Sequence, residues 1–158
     1  MNQIDRLTAL GAFDAPVPKP YKAALVAPYP SEVGSPPQTA TTEQRAASYL
    51  HANCAFCHRP PADVDCTAEP CMDFRFGLPL AERNLCDVVP SKNDLGIMGA
   101  KSLVPGQPGQ SLTWVRMTRQ PDDDAGKHGR MPLLASYVVD QMAVDLIGNW
   151  ITSISACP

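Results

Sequence analysis

Cys54, Cys57 and His58 form a C-x-x-C-H run, Cys54-Ala55-Phe56-Cys57-His58. Two intervening residues let both sulfurs face the same side of a short helical turn. Thiols placed this way can add across the vinyl groups of a porphyrin as thioethers, and the run is the attachment signature of c-type haem. The histidine follows directly, so its imidazole reaches the iron from the proximal side. Three other uses compete for the same residues. A thioredoxin-like C-x-x-C wants a βαβ setting, which the chain lacks. Half of a zinc site needs two more ligands at close spacing. Two ordinary disulfide cysteines are the third use. The expectation is haem c, covalently attached through Cys54 and Cys57 and ligated by His58.

A second axial ligand must come from elsewhere in the chain. Met131 lies in Gly129-Arg130-Met131-Pro132, after a polar loop and just before the last helical pattern. The following proline biases Met131 towards extended backbone, which can hold a thioether against iron. Met98, between Ile97 and Gly99, is the next choice, while Met72, Met117 and Met142 read as core. His128 reads as a solvated loop residue close enough to Met131 for a ligand switch. His51 reads as a surface or supporting residue on the helix before the motif.

These residues need a frame. The chain has 158 residues, enough for one core, with net charge −3 and scattered basic residues. That balance argues against nucleic acid. With 17 prolines and 6% aromatics, the chain should be loop-rich with few long elements, and haem would supply much of the apolar core. Six cysteines are many for a chain of this size in a reducing compartment. Once Cys54 and Cys57 hold haem, Cys66, Cys71, Cys86 and Cys157 remain, and four cysteines allow three pairings. Cys66–Cys71 would close a local loop, and Cys86–Cys157 would staple the C-terminus to the middle. Both fit an oxidising compartment.

The elements follow from period and capping. Ile4, Leu7 and Leu10 recur every third residue, with Gly11 placed to close a short helix. Residues 1–40 thus read as that helix plus a connector rich in proline (Pro16, Pro18, Pro20, Pro28, Pro30, Pro36, Pro37). Residues 41–158 read as the haem-bearing domain. Thr41-Thr42-Glu43-Gln44 is a capping box opening a helix into the motif, and Pro60-Pro61 should break it. The stretch 73–78 alternates polar and apolar residues and should be extended. Pro79 can open a short helix to Cys86. Ser111 can cap a helix over 112–119 that buries Leu112, Trp114 and Val115. Asp140 can cap the last helix, whose stripe is Met142, Leu146, Ile147, Trp150, Ile151 and Ile154, with Gly148 as a candidate crossing point.

A helix into C-x-x-C-H, a Met131-Pro132 loop and a terminal amphipathic helix containing Trp150-Ile151 resemble a class I, mono-haem cytochrome c domain over about residues 41–158. The likeness is nearest to cytochrome c domains at the C-termini of larger bacterial secreted or periplasmic proteins, some of them quinoprotein dehydrogenases. Residues 53–60, Met72-Asp73-Phe74-Arg75-Phe76, Pro105-Gly106 and Arg130-Met131-Pro132-Leu133 carry it. The resemblance implies an all-α cytochrome c fold with few short helices and long Pro/Gly-rich loops. It also implies first and last helices that cross near Gly148 and Ala46/Ala47, and His58 and Met131 as iron ligands. The expected function is electron transfer, not catalysis, with a redox partner protein or an upstream dehydrogenase domain as partner. The alternative is a haem sensor or haem enzyme with a displaceable distal ligand. Arg59, Arg75, Lys101, Trp114 and Arg130 are the expected donors to the haem propionates. No apolar stretch is long enough to span a bilayer. The start of the chain has no signal-peptide pattern, so a mature or excised periplasmic chain is expected.

Overall fold

The computed structural model describes residues 3–15, 40–60, 62–63, 71–90, 93–120, 129–133 and 137–158. Among them the regular structure is mostly helical: α1 (Gln3–Ala9), α2 (Thr42–Asn53), α3 (Leu112–Thr118) and α4 (Gln141–Ser153). The strands are β1 (His58–Arg59) and β2 (Ala62–Asp63), an antiparallel pair with His58 opposite Asp63. No described helix is long and apolar enough to cross a membrane. The connector expected from Phe13 to Pro37 lies outside the described residues from Pro16 onward, as does the Cys66 end of the Cys66–Cys71 pairing.

Capping signals read from sequence hold at three helix ends. Gln44 N–H donates to Thr41 Oγ1 at 3.1 Å and Thr41 N–H donates to Gln44 Oε1 at 2.9 Å, so α2 opens on the full capping box. Ala143 N–H donates to Asp140 Oδ1 at 3.1 Å and starts α4. After α1, Gly11 takes φ +69° and Ala12 N–H reaches back to Leu7 O at 3.0 Å. The fourth cap differs. Ser111 precedes α3, but its hydroxyl does not cap it. The fully buried hydroxyl donates to Gln107 O at 2.8 Å and accepts from Val104 N–H at 2.9 Å. A nearby loop with orphan backbone groups won the serine from the helix end.

α2 and α4 pack against each other, and α3 packs on α4. Their buried faces are Ala46, Tyr49 and Leu50 of α2, Ala143, Val144, Leu146, Ile147, Trp150 and Ile151 of α4, and Met117 of α3. Phe74, Leu85 and Leu103 close this core from the loops. The stripe predicted for α4 is right along most of its length, but Met142 is 52% exposed. It sits in the first turn of α4, where Ala143 and Val144 take the buried places. Gly148 does mark a close approach, and the atoms nearest to it belong to Trp114. A Cβ there would lie 2.9 Å from Nε1 of Trp114, which comes from α3.

The expected helix from Pro79 to Cys86 is a single 3-10 turn over Leu80–Glu82. Cys86 instead lies in an isolated parallel bridge to Leu103 and in a disulfide to Cys157, Cα–Cα 5.7 Å, across 71 positions. Closing a loop that long removes about 4 kcal/mol of denatured-chain entropy in the polymer model. The bond holds the residues after α4 to the middle loops. α1 packs on none of the other described elements.

Candidate functional site

α2 ends at Asn53, one residue before the motif, rather than at Pro60. Cys54 is its C-cap: Cys54 N–H donates to Leu50 O at 2.8 Å, and Ala55 N–H shares that acceptor at 3.1 Å. The Cys54 carbonyl then accepts twice, from Cys57 N–H at 3.1 Å and from His58 N–H at 2.9 Å. One tight turn therefore carries both sulfurs and the imidazole. Ala55 points into the core, Phe56 is 81% exposed and Cys57 is exposed. Burial, and then the charge of Cys57, push the Cys54 thiol up to about 12, so it stays protonated at neutral pH.

His58 is held from the far side by the segment after the disulfide-bonded Cys71. Phe74 N–H donates to His58 O at 3.1 Å, and the two rings meet edge to face, centroids 5.6 Å apart at 90°. Phe74 is buried, so the imidazole leans on a fixed wall. The segment has two further ties. Phe76 N–H donates to His51 Nδ1 at 3.0 Å, and Asp73 N–H donates to Arg83 O at 2.9 Å.

Asp73 is buried and charged. Its carboxylate accepts from Arg75 Nε at 3.0 Å, from Arg75 Nη2 at 2.6 Å and from Arg75 N–H at 3.0 Å. Desolvation alone would raise its pKa. The hydrogen bonds and charge of Arg75, with the charge of Arg83, outweigh it and hold the carboxyl below its ordinary value. A carboxylate with a lowered folded pKa stabilises the fold above its unfolded pKa, about 3.9, and loses that contribution as pH falls through the lower folded value. Arg75 is half-exposed, so the pair is partly screened. Asp73→Asn should cost about 1 kcal/mol at pH 7 and flatten the acid limb of the stability curve below about pH 4, measured by urea unfolding.

Met131 is placed by a different element. Its N–H donates to Arg116 O in α3 at 3.0 Å, and the residue is partly exposed. The path from the motif turn to Met131 runs through α2, α4 and α3, each packed on the next. Met98 is 91% exposed on its loop, and His128 lies outside the described residues. Two of the expected propionate donors are already committed. Trp114 Nε1–H donates to Val144 O at 2.9 Å, and Arg75 is bound to Asp73. Arg59 is exposed, and Lys101 and Arg130 are partly buried.

Two residues prove central to this side of the molecule, the first read from sequence only as a surface or supporting residue and the second not singled out at all. One is His51. The other is Arg83, which is buried, donates from Nε and Nη2 to Leu78 O at 3.0 and 2.9 Å, and leaves Nη1 without a hydrogen-bond partner. Burial lowers its pKa, against the opposing charges of Glu43 and Asp73. No local pattern could have revealed either, because each acts across a loop.

The cysteines divide by chemistry. Cys71, Cys86 and Cys157 are disulfide-bonded, while Cys54 and Cys57 are free although they share one turn. Among the described residues no group of three or more His, Cys, Asp or Glu is arranged to hold a metal ion. Two unbridged thiols and an imidazole on one turn are the donor set that the three bonds of haem c require. The chain matches no protein-family model, no curated protein and no solved structure. Its chemistry is therefore read from its own residues.

Proposed function

We propose that this chain is an extracytoplasmic electron-transfer domain of the class I cytochrome c kind. Haem c is carried covalently on Cys54 and Cys57, with His58 and Met131 as its iron ligands. The carrying observation is the unbridged state of Cys54 and Cys57, on one turn with His58, in a chain whose other described cysteines are disulfide-bonded. Bound haem supplies a one-electron couple at its iron. The protein's residues supply the rest. His58 is fixed by its place on the turn and by the Phe74 ring, so its ligand atom moves little between oxidation states. The Met131 thioether favours the ferrous form relative to a second histidine and raises the potential. Buried Ala55 and Phe74 give the motif an apolar wall on its core side, while Phe56 and Cys57 face solvent. The disulfides support an oxidising compartment. The natural partner is a redox protein, or a dehydrogenase domain upstream in a larger polypeptide, docking through a small interface.

The test is a pyridine-haemochrome spectrum together with intact mass, on protein produced with haem-attachment machinery. A c-type spectrum and a mass raised by one haem are expected. A spectrum without the covalent signal, or an unchanged mass, overturns the proposal.

A further inference from the structure

We infer that His51 is a positioning residue for His58, acting through the segment Phe74-Arg75-Phe76; the inference deepens the haem reading and rests on it for its electronic consequence. His51 lies in the last turn of α2, just before Cys54. Its Nδ1 accepts from Phe76 N–H at 3.0 Å, across 25 positions. A backbone N–H can only donate, so this ring nitrogen must carry a lone pair, and the imidazole is held with its Nε2 protonated. Two residues before Phe76, Phe74 bonds the His58 carbonyl and sets its ring edge-to-face with the His58 imidazole.

The chain between His51 and His58 and the short piece between Phe74 and Phe76 are thus joined at both ends. They form a closed frame. One corner is the ring that must face the iron, and the opposite corner is His51. The frame is needed because the segment belongs to no sheet. Apart from these contacts it is held by Asp73 N–H on Arg83 O and by the Asp73–Arg75 pair, both at its start. Without the His51 tether, Phe76 loses its described hydrogen bond, and Phe74 is left with its bond to His58 O and its packing in the core.

The test compares His51→Leu with His51→Asn in the haem-loaded protein. Asn Oδ1 stands where His Nδ1 stands and can accept from Phe76 N–H, whereas leucine has the same reach and no acceptor. Leucine is the better helix former. If His51 mattered only for α2, Leu would be benign and Asn harmful. The frame demands the reverse order. In His51→Leu the Phe76 and Phe74 amides should exchange about tenfold faster, as expected for loss of one part-buried hydrogen bond. The hyperfine-shifted His58 ring signals of the oxidised protein should move and the midpoint potential should change. His51→Asn should restore all three. Unchanged His58 signals in the leucine variant, or equal effects of the two substitutions, overturn the inference. If the protein proves to carry no covalent haem, the functional reading fails. The amide exchange and the His58–Phe74 ring cross-peaks then still decide whether His51 positions His58.

Discussion

Met131→Ala is expected to lower the midpoint potential by on the order of 0.1 V, a modest part of the ~0.8 V that axial ligands span. It should also let the reduced protein bind CO readily. The thioether is a soft donor that favours the ferrous state, so its loss removes that bias and opens a coordination position to water or gas. The variant should still fold. Met131 is partly exposed, and its described anchor is a backbone bond to Arg116 O, which alanine retains. Spectroelectrochemistry and a CO-difference spectrum read the two effects. An unchanged low-spin ferric spectrum and potential would remove Met131 from the iron, and 91%-exposed Met98 would be the next residue to replace. Wild-type protein that already binds CO readily would instead favour a sensor or enzyme.

The other large effect is on stability, at Gly148. In an exposed helix interior, replacing glycine by alanine gains about 1 kcal/mol of helix propensity. Here the sign should reverse. An added Cβ would stand 2.9 Å from Trp114 Nε1, an atom of a rigid indole ring and not the free end of a flexible chain. The ring cannot swing aside without giving up its bond to Val144 O, one turn before Gly148. Gly148→Ala should therefore cost about 1 kcal/mol net, and Gly148→Val about 3 kcal/mol, through overpacking and a strained or broken part-buried hydrogen bond. Urea unfolding of a double-mutant cycle with Trp114→Phe isolates the cause, because the smaller ring lacks Nε1. In that background the cost of alanine should shrink or become a gain. An equal cost in both backgrounds would place the constraint elsewhere on α4.

Much of the frame was legible in local sequence. The capping box at Thr41, the cap at Asp140 and the apolar stripe of α4 depend on residues three or four apart, so a linear reading captures them. Where local reading failed, a distant group had intervened. Ser111 looked like a cap but serves the Val104–Gln107 loop. Met142 looked like core but is half-exposed, because Ala143 and Val144 face the core in that turn. Trp114 and Arg75 looked like free donors, yet Val144 O and Asp73 had taken them. Gly148 was rightly singled out as a close approach. The resemblance implied α2 as its partner, whereas the side chain nearest to it is Trp114 of α3, because helix order in the chain does not say which faces meet.

The candidate site divides along the same line. Sequence alone determined the C-x-x-C-H turn, because its chemistry needs only Cys54, Cys57 and His58 at fixed short spacing, and a turn of backbone hydrogen bonds realises that spacing locally. It also separated these thiols from the remaining cysteines and proposed Cys86–Cys157, the pair present in the structure. Only the tertiary structure decided what surrounds His58. Phe74 reaches it from a segment without regular secondary structure, and that segment is tied in turn to His51 of α2 and to Arg83 through bonds spanning many positions. Such contacts carry no period and no motif, because they arise only once α2, α4 and the disulfide have fixed where that segment must run.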